Sequence, residues 1–138
     1  MVLTQFCREM KEEAFYDSYL TGILREKRKT SVKFLPHLAG DRTSLKQKKA
    51  SFSGLTLATR REDCLYAISE AILDRTKKLL KRMAKKTKLD RTIYLTGGRA
   101  NQVLLDYKRR RLPGFEIVVK EDCALYGCAE MARKQMGG

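Results

Sequence analysis

The sequence is poor in the groups that name a catalytic or metal centre. It has one histidine, His37, and four cysteines, Cys7, Cys64, Cys123 and Cys128. No two cysteines form a CxxC pair, and His37 is far from all of them in sequence, which argues against a zinc site and against a disulfide framework. His37 has no Ser, Cys or Asp arrangement around it that spells a triad, so it reads as a loop or interface histidine. The acidic residues show no paired-carboxylate pattern, and Asp41 beside Arg42 reads as a local ion pair or turn. There is no Gly-Lys-Ser/Thr phosphate loop and no GxGxxG. No apolar run approaches the roughly 20 residues of a membrane span. The first nine residues lack a basic head followed by an apolar core, so no signal peptide is expected. Scattered thiols without an export signal fit a reducing, cytoplasmic compartment. No internal repeat occurs.

What is present is apolar enough to fold and strongly basic. Hydrophobic residues make up 43% of 138 residues, which excludes disorder and suits a single domain over 1–138 that hides about two-thirds of its unfolded surface. Lys and Arg number 30 against 16 acids, a net charge of +14. That balance attracts polyanions such as nucleic acid, anionic membrane or phosphate-bearing ligands, without choosing among them.

Residues 1–31 read as a helical lead-in: Leu3, Phe6, Met10 and Ala14 recur at helical spacing, and Phe15, Tyr16, Tyr19, Leu20 and Ile23 extend the apolar face. Val32 to Pro36 is strand-like and stopped by proline. Residues 37–50 read as loop. Glu62 to Lys86 is the longest expected helix, with Leu65, Ile68, Ile72, Leu79 and Met83 as its apolar stripe. Acids in its first turn and Lys81, Arg82, Lys85 and Lys86 in its last turns suit the helix dipole. Thr92 to Thr96 is a strand, Ala100 to Arg111 a helix, Phe115 to Val119 a buried-looking strand, and Cys123 to Lys134 a closing helix. In that last helix Gly127, Cys128 and Ala129 offer a small-residue face for close packing. Helix, strand, glycine turn, helix, strand, helix is an α/β alternation, for which a largely parallel sheet is expected. Ligands of such sheets bind beyond the carboxyl ends of strands.

The Gly97-Gly98 pair lies at such an end. Two residues without Cβ let a ribose, adenine or phosphate lie against the backbone, and the next helix offers free N–H groups; a plain strand-to-helix turn uses the same residues. Arg99 suits a phosphate or solvent. Asn101 and Gln102 suit a ligand or a helix cap. The basic helix end, Lys77, Lys78, Lys81, Arg82, Lys85, Lys86 and Lys88, suits a nucleic-acid backbone or simple solvation. No aromatic is interleaved there for base stacking. Arg109-Arg110-Arg111 reads the same way.

Three blocks taken together resemble the C-terminal lobe of the FGGY carbohydrate kinases, nearest to xylulokinase-like members. Phe34-Leu35-Pro36-His37-Leu38-Ala39-Gly40-Asp41-Arg42-Thr43 is similar to the family's Phe-Leu-Pro-Tyr-Leu-x-Gly-Glu-Arg-Thr segment. Ala50 through Glu70, with Phe52 and Gly54-Leu55-Thr56-Leu57, resembles its Phe-x-Gly-Leu stretch leading into a long helix. Leu95 to Ala100, followed by Ala124 to Ala129, resembles its Thr-Gly-Gly-Gly-Ala and Ala-Leu-Gly-Ala-Ala segments. The blocks keep the family's order and spacing over about residues 32–134. The resemblance implies an α/β fold: a partial actin-like ATPase (ribonuclease H-like) C-terminal lobe, a sheet with packed helices. It implies ATP as cofactor, its adenosine side held by Gly97, Gly98, Arg99, Asn101 and Gln102, and a sugar as the other substrate.

The chain departs from the family at several positions. Arg99 stands where the family has a third glycine, Asp41 replaces Glu, His37 replaces Tyr, and Cys64 and Ser69 stand at positions the family keeps apolar. The Asp-x-Gly-Thr phosphate loop, the sugar pocket, the aspartate base and the Mg²⁺ site belong to segments not found in this sequence. The chain is therefore expected to be part of a larger kinase whose N-terminal lobe lies elsewhere, and to be inactive alone. Exposed sheet edges suit pairing into a homodimer. A basic, non-enzymatic module that binds a polyanion such as nucleic acid is the alternative reading, and no membrane partner is expected.

Overall fold

The structure, a computed structural model, describes residues 11–37, 49–96 and 102–136. It is mixed α/β. The chain divides into two units, Met1–Leu89 and Asp90–Gly138. The expected helix positions Leu3, Phe6 and Met10, the segment Leu38 to Thr43, and Gly97, Gly98, Arg99 and Asn101 lie outside the described residues.

In the first unit the lead-in is helical with an irregular centre. Helix α1 (Glu12–Ala14) runs into a π-helical stretch, Phe15–Leu20, and then into α2 (Thr21–Arg25). Phe15, Leu20, Ile23 and Leu24 are buried from this segment. Thr21 is buried too, and its hydroxyl donates to the Asp17 and Ser18 carbonyls at 2.9 and 3.0 Å, so no polar atom is stranded. Past α2 the chain turns through Lys27 at φ 48°, the left-handed exit many helices take.

Strand β1 (Lys33–Leu35) pairs antiparallel with β2 (Ser51–Ser53), Phe34 opposite Phe52 with ring centroids 4.7 Å apart. Gly54 follows β2 at φ +74°, and a Cβ there would run into the Ser31 carbonyl. Helix α3 (Arg61–Ala84) lies against β1 and α2 and buries Leu65, Ala67, Ile68, Ser69 and Leu73. Buried Ser69 donates its hydroxyl to the Leu65 carbonyl at 3.0 Å.

The expected stripe of α3 is corrected by the structure. Its second half, Ile72, Leu79 and Met83, is 45–51% exposed. A 24-residue helix is about 36 Å long, whereas the three-residue strand β1 spans about 10 Å. Periodicity continued along the helix, but among the described residues its packing partners did not.

In the second unit β3 (Thr92–Leu95) and β4 (Glu116–Val119) pair in parallel, Thr92 opposite Glu116 through Leu95 opposite Val119. Helix α4 (Gln102–Arg111) supplies the crossover that parallel pairing requires. Glu116 N–H donates to the Arg91 carbonyl at 2.8 Å and Lys120 N–H to the Leu95 carbonyl at 2.9 Å, extending the ladder at both ends. Leu105, Tyr107, Leu112 and Ile117 are the buried residues among those described in this unit. The expectation of a largely parallel sheet holds for this ladder alone. β1 and β2 pair antiparallel, and each described sheet has two strands.

Helix α5 (Cys123–Gln135) has no buried residue. The close packing expected of its small-residue face is not made among the described residues: a Cβ added at Gly127 would meet no atom within 4 Å. Leu125, Tyr126 and Met131 are 66–71% exposed.

Candidate functional site

A parallel strand pair joined by a helix sends its loops out at the carboxyl end of the sheet. In this chain that end is formed by Leu95, the last residue of β3, with Thr96 after it, and by Val119, the last of β4, with Lys120 after it. Thr96 and Lys120 are exposed there. The Gly97-Gly98 pair follows Thr96 directly in sequence.

Of the five residues expected to hold adenosine, Gln102 is the one described. It opens α4, and its Nε2 donates to Asp106 Oδ1 at 2.8 Å, one helical turn on. Asp106 also meets Arg109 Nη1 at 3.5 Å. The side chain thus makes an i,i+4 pair on the exposed helix face. Arg109 further donates from Nη2 to the Ile117 carbonyl at 3.3 Å, tying α4 to β4. Burial pushes the neighbouring Lys108 ammonium below the ordinary lysine range.

Sequence reading missed Lys120. Its Nζ lies 5.4 Å from the centroid of the Tyr94 ring and 5.9 Å from that of Tyr126, within the reach of a cation–π contact. Both tyrosines are well exposed. A cation flanked by two aromatic faces at the carboxyl end of a parallel pair can meet a phosphate with its charge and a flat ring by stacking. The available signal was a lysine directly after the apolar strand Ile117-Val118-Val119.

The first unit carries a second polar cluster, at the start of α3. The Asp63 carboxylate accepts the Arg60 N–H at 2.8 Å and Arg28 Nη1 at 2.9 Å. The backbone bond is the acidic half of a capping box. The Arg60 amide first, and Arg28 second, hold the Asp63 carboxyl below its ordinary range. Glu62 accepts the Tyr19 hydroxyl at 2.7 Å, which lowers its carboxyl in the same way. The Arg28 guanidinium is raised by the same bond to Asp63. Burial, and then the Asp63 charge, push the Cys64 thiol up, so it is a poor thiolate. Both carboxylates and the Arg28 Nη1 are turned toward protein partners, Arg28 Nε is buried without one, and the cluster fixes the start of α3 against the segment after α2.

His37 follows β1, half-buried, its N–H donating to the Leu35 carbonyl at 3.0 Å. Cys64, Cys123 and Cys128 are free thiols. Among the described residues no group of three or more His, Cys, Asp or Glu could hold a metal ion. Among them, too, no helix is long and apolar enough to cross a membrane.

Set against protein-family models, characterised proteins and solved structures, the chain matches none.

Proposed function

We propose that residues 32–134 are the nucleotide-side part of the C-terminal, actin-like lobe of an FGGY-type sugar kinase, which moves the ATP γ-phosphate to a sugar hydroxyl. The observation that carries this reading is the β3–α4–β4 crossover, with its parallel register running from Thr92 to Leu95 against Glu116 to Val119. It leads the chain out at the carboxyl end of β3 directly before the Gly97-Gly98 pair, the end where such sheets take ligands. The same end carries Lys120 between Tyr94 and Tyr126.

In this reading the two glycines leave room for the adenosine, and the start of α4 contributes backbone N–H groups and the positive end of its dipole. Lys120 adds charge toward the phosphates and the tyrosines add flat apolar surface. The sugar hydroxyl must lose its proton as it attacks the γ-phosphate, and Mg²⁺ must spread the charge that develops. No Asp-x-Gly-Thr segment occurs in this sequence, so the base, the metal and the sugar pocket fall to a separate N-terminal lobe, and the chain binds ATP without phosphorylating sugar. A cytoplasmic setting, and pairing of copies through the sheet edges, belong to the same proposal. Equilibrium binding tests it: saturable ATP binding by the 138-residue chain, lost in Gly98→Val, supports it, and sugar phosphorylation by the chain alone refutes the division of labour.

A second reading is favoured by the exposed end of α3 and the residues after it. Lys81, Arg82, Lys85, Lys86 and Lys88 are all exposed, a cationic surface suited to a nucleic-acid backbone. That reading requires binding to duplex DNA that weakens steeply with salt, and it survives Gly98→Val.

A further inference from the structure

The first unit holds a groove of about 380 Å³ between β1 with the residues that follow it and the middle of α3. The sequence builds it simply. Pro36 has no N–H to continue the ladder, so the chain leaves β1 there, while α3 runs on past it. Phe34, Pro36 and His37 form one wall and Ala71 and Leu79 lie across from them. Arg75, Lys78 and Arg82, spaced three and four apart, fall on one helix face and line the same groove.

The charge in the groove is unbalanced. Among the described residues Asp74 is its one carboxylate, and Lys77 meets that group at 3.7 Å. No ion pair with Arg75, Lys78 or Arg82 is formed among the described residues. Cations along a concave, partly apolar wall focus field toward an anion. His37 adds a second feature, because its Nδ1 is buried and has no hydrogen-bond partner, a condition that buried polar atoms of folded proteins rarely keep. The volume lies in the small-ligand range of roughly 300–1,000 Å³, which argues for a compact ligand over an extended strand of nucleic acid.

We propose that this groove binds a phosphate monoester carried on a flat apolar body. The phosphate oxygens accept from the arginine and lysine donors in charge-assisted bonds. The apolar body lies against Phe34, Pro36 and Leu79, and the His37 ring supplies a hydrogen bond at their edge. The site lies wholly within the first unit and does not depend on the kinase reading, which concerns the second.

The test is titration of the full chain with phenyl phosphate at low salt, followed by calorimetry and by amide and imidazole NMR shifts. The expected result is saturable binding in the groove, about tenfold tighter than inorganic phosphate, with shifts at His37 and along residues 75–82. Arg75→Gln/Arg82→Gln is expected to weaken it at least about tenfold, since a hydrogen bond to a charged group is worth about that much. Both positions are exposed, so this variant should keep its far-UV circular dichroism. Gly98→Val is expected to leave the shifts at His37 and along residues 75–82 unchanged, which separates failure here from failure at the carboxyl end of β3. Binding that does not saturate, affinity equal to that of inorganic phosphate, indifference to the double substitution, or shifts confined to residues 81–88 would each overturn the proposal.

Discussion

Replacing Gly54 by alanine tests how the first unit is held together. Gly54 sits at φ +74°, and an added Cβ would strike the Ser31 carbonyl. Two costs add. A residue with a Cβ loses about 1–2 kcal/mol in the left-handed region. Forcing an atom against backbone costs about 1–3 kcal/mol more, because the neighbours must shift. The shift open to the chain carries β2 away from residues 31–32, and it weakens the Ser31 Oγ bond to the Gly54 carbonyl, 3.0 Å, and the Phe34–Phe52 ring contact. The sum is about 2–5 kcal/mol, a large share of the roughly 5–15 kcal/mol that stabilises an ordinary domain. Urea titration followed by far-UV circular dichroism measures it, read at an unchanged slope so that the midpoint reports stability. Gly22→Ala is the internal control: it lies in α2, where an added Cβ meets nothing within 4 Å, so helix propensity should make it neutral or stabilising by up to about 1 kcal/mol. If Gly54→Ala lies within about 0.5 kcal/mol of the parent, the range of an ordinary surface change, the placement of β2 against Ser31 is wrong.

Two further outcomes follow from the same packing. Leu65→Ala, at a fully buried position, should cost about 2–5 kcal/mol, while Leu79→Ala, 47% exposed, should cost less than about 1 kcal/mol; equal losses in urea titrations would contradict the split of α3 into a packed and an open half. Asp63 and Glu62 have folded-state carboxyls below their ordinary ranges, so their stabilisation is complete above the unfolded values of roughly 4 and is lost as pH falls through the lower folded values. Melting temperature should therefore drop below about pH 4 in the parent and drop less in Asp63→Asn; parallel curves would show that the Arg60 and Arg28 bonds to Asp63 do not carry the effect.

The sequence made the local elements legible and left their partners obscure. Helix α3 was expected at 62–86 and is Arg61–Ala84, and β3, α4 and β4 lie where apolar runs and the Pro113-Gly114 turn put them. Such features depend on neighbours within a few residues. Burial depends on what arrives from elsewhere, so the same 3.6-residue pattern marked Leu65 and Ile68, which are buried, and Leu79 and Met83, which are half-exposed. The pairing of Phe34 with Phe52 joins strands 18 positions apart at that pair, and nothing local announces it. In α5 a run of small residues suggested close packing, yet small side chains only permit an approach that another element has to make. At the carboxyl end of β3 the Gly97-Gly98 pair was visible as a motif, whereas Lys120 between Tyr94 and Tyr126 required the parallel pairing to be known. Gln102, read as a ligand or capping residue, bonds Asp106, a pairing open to any helix with those residues four apart.

The central claim, a nucleotide at the carboxyl end of β3, is tested most directly by mapping backbone amide shifts of the labelled chain during ATP titration. The account predicts saturable shifts from Thr96 through Gln102 and at Tyr94, Lys120 and Tyr126, persisting at moderate salt and absent in Gly98→Val. Shifts confined to the basic end of α3 and erased by salt would contradict it.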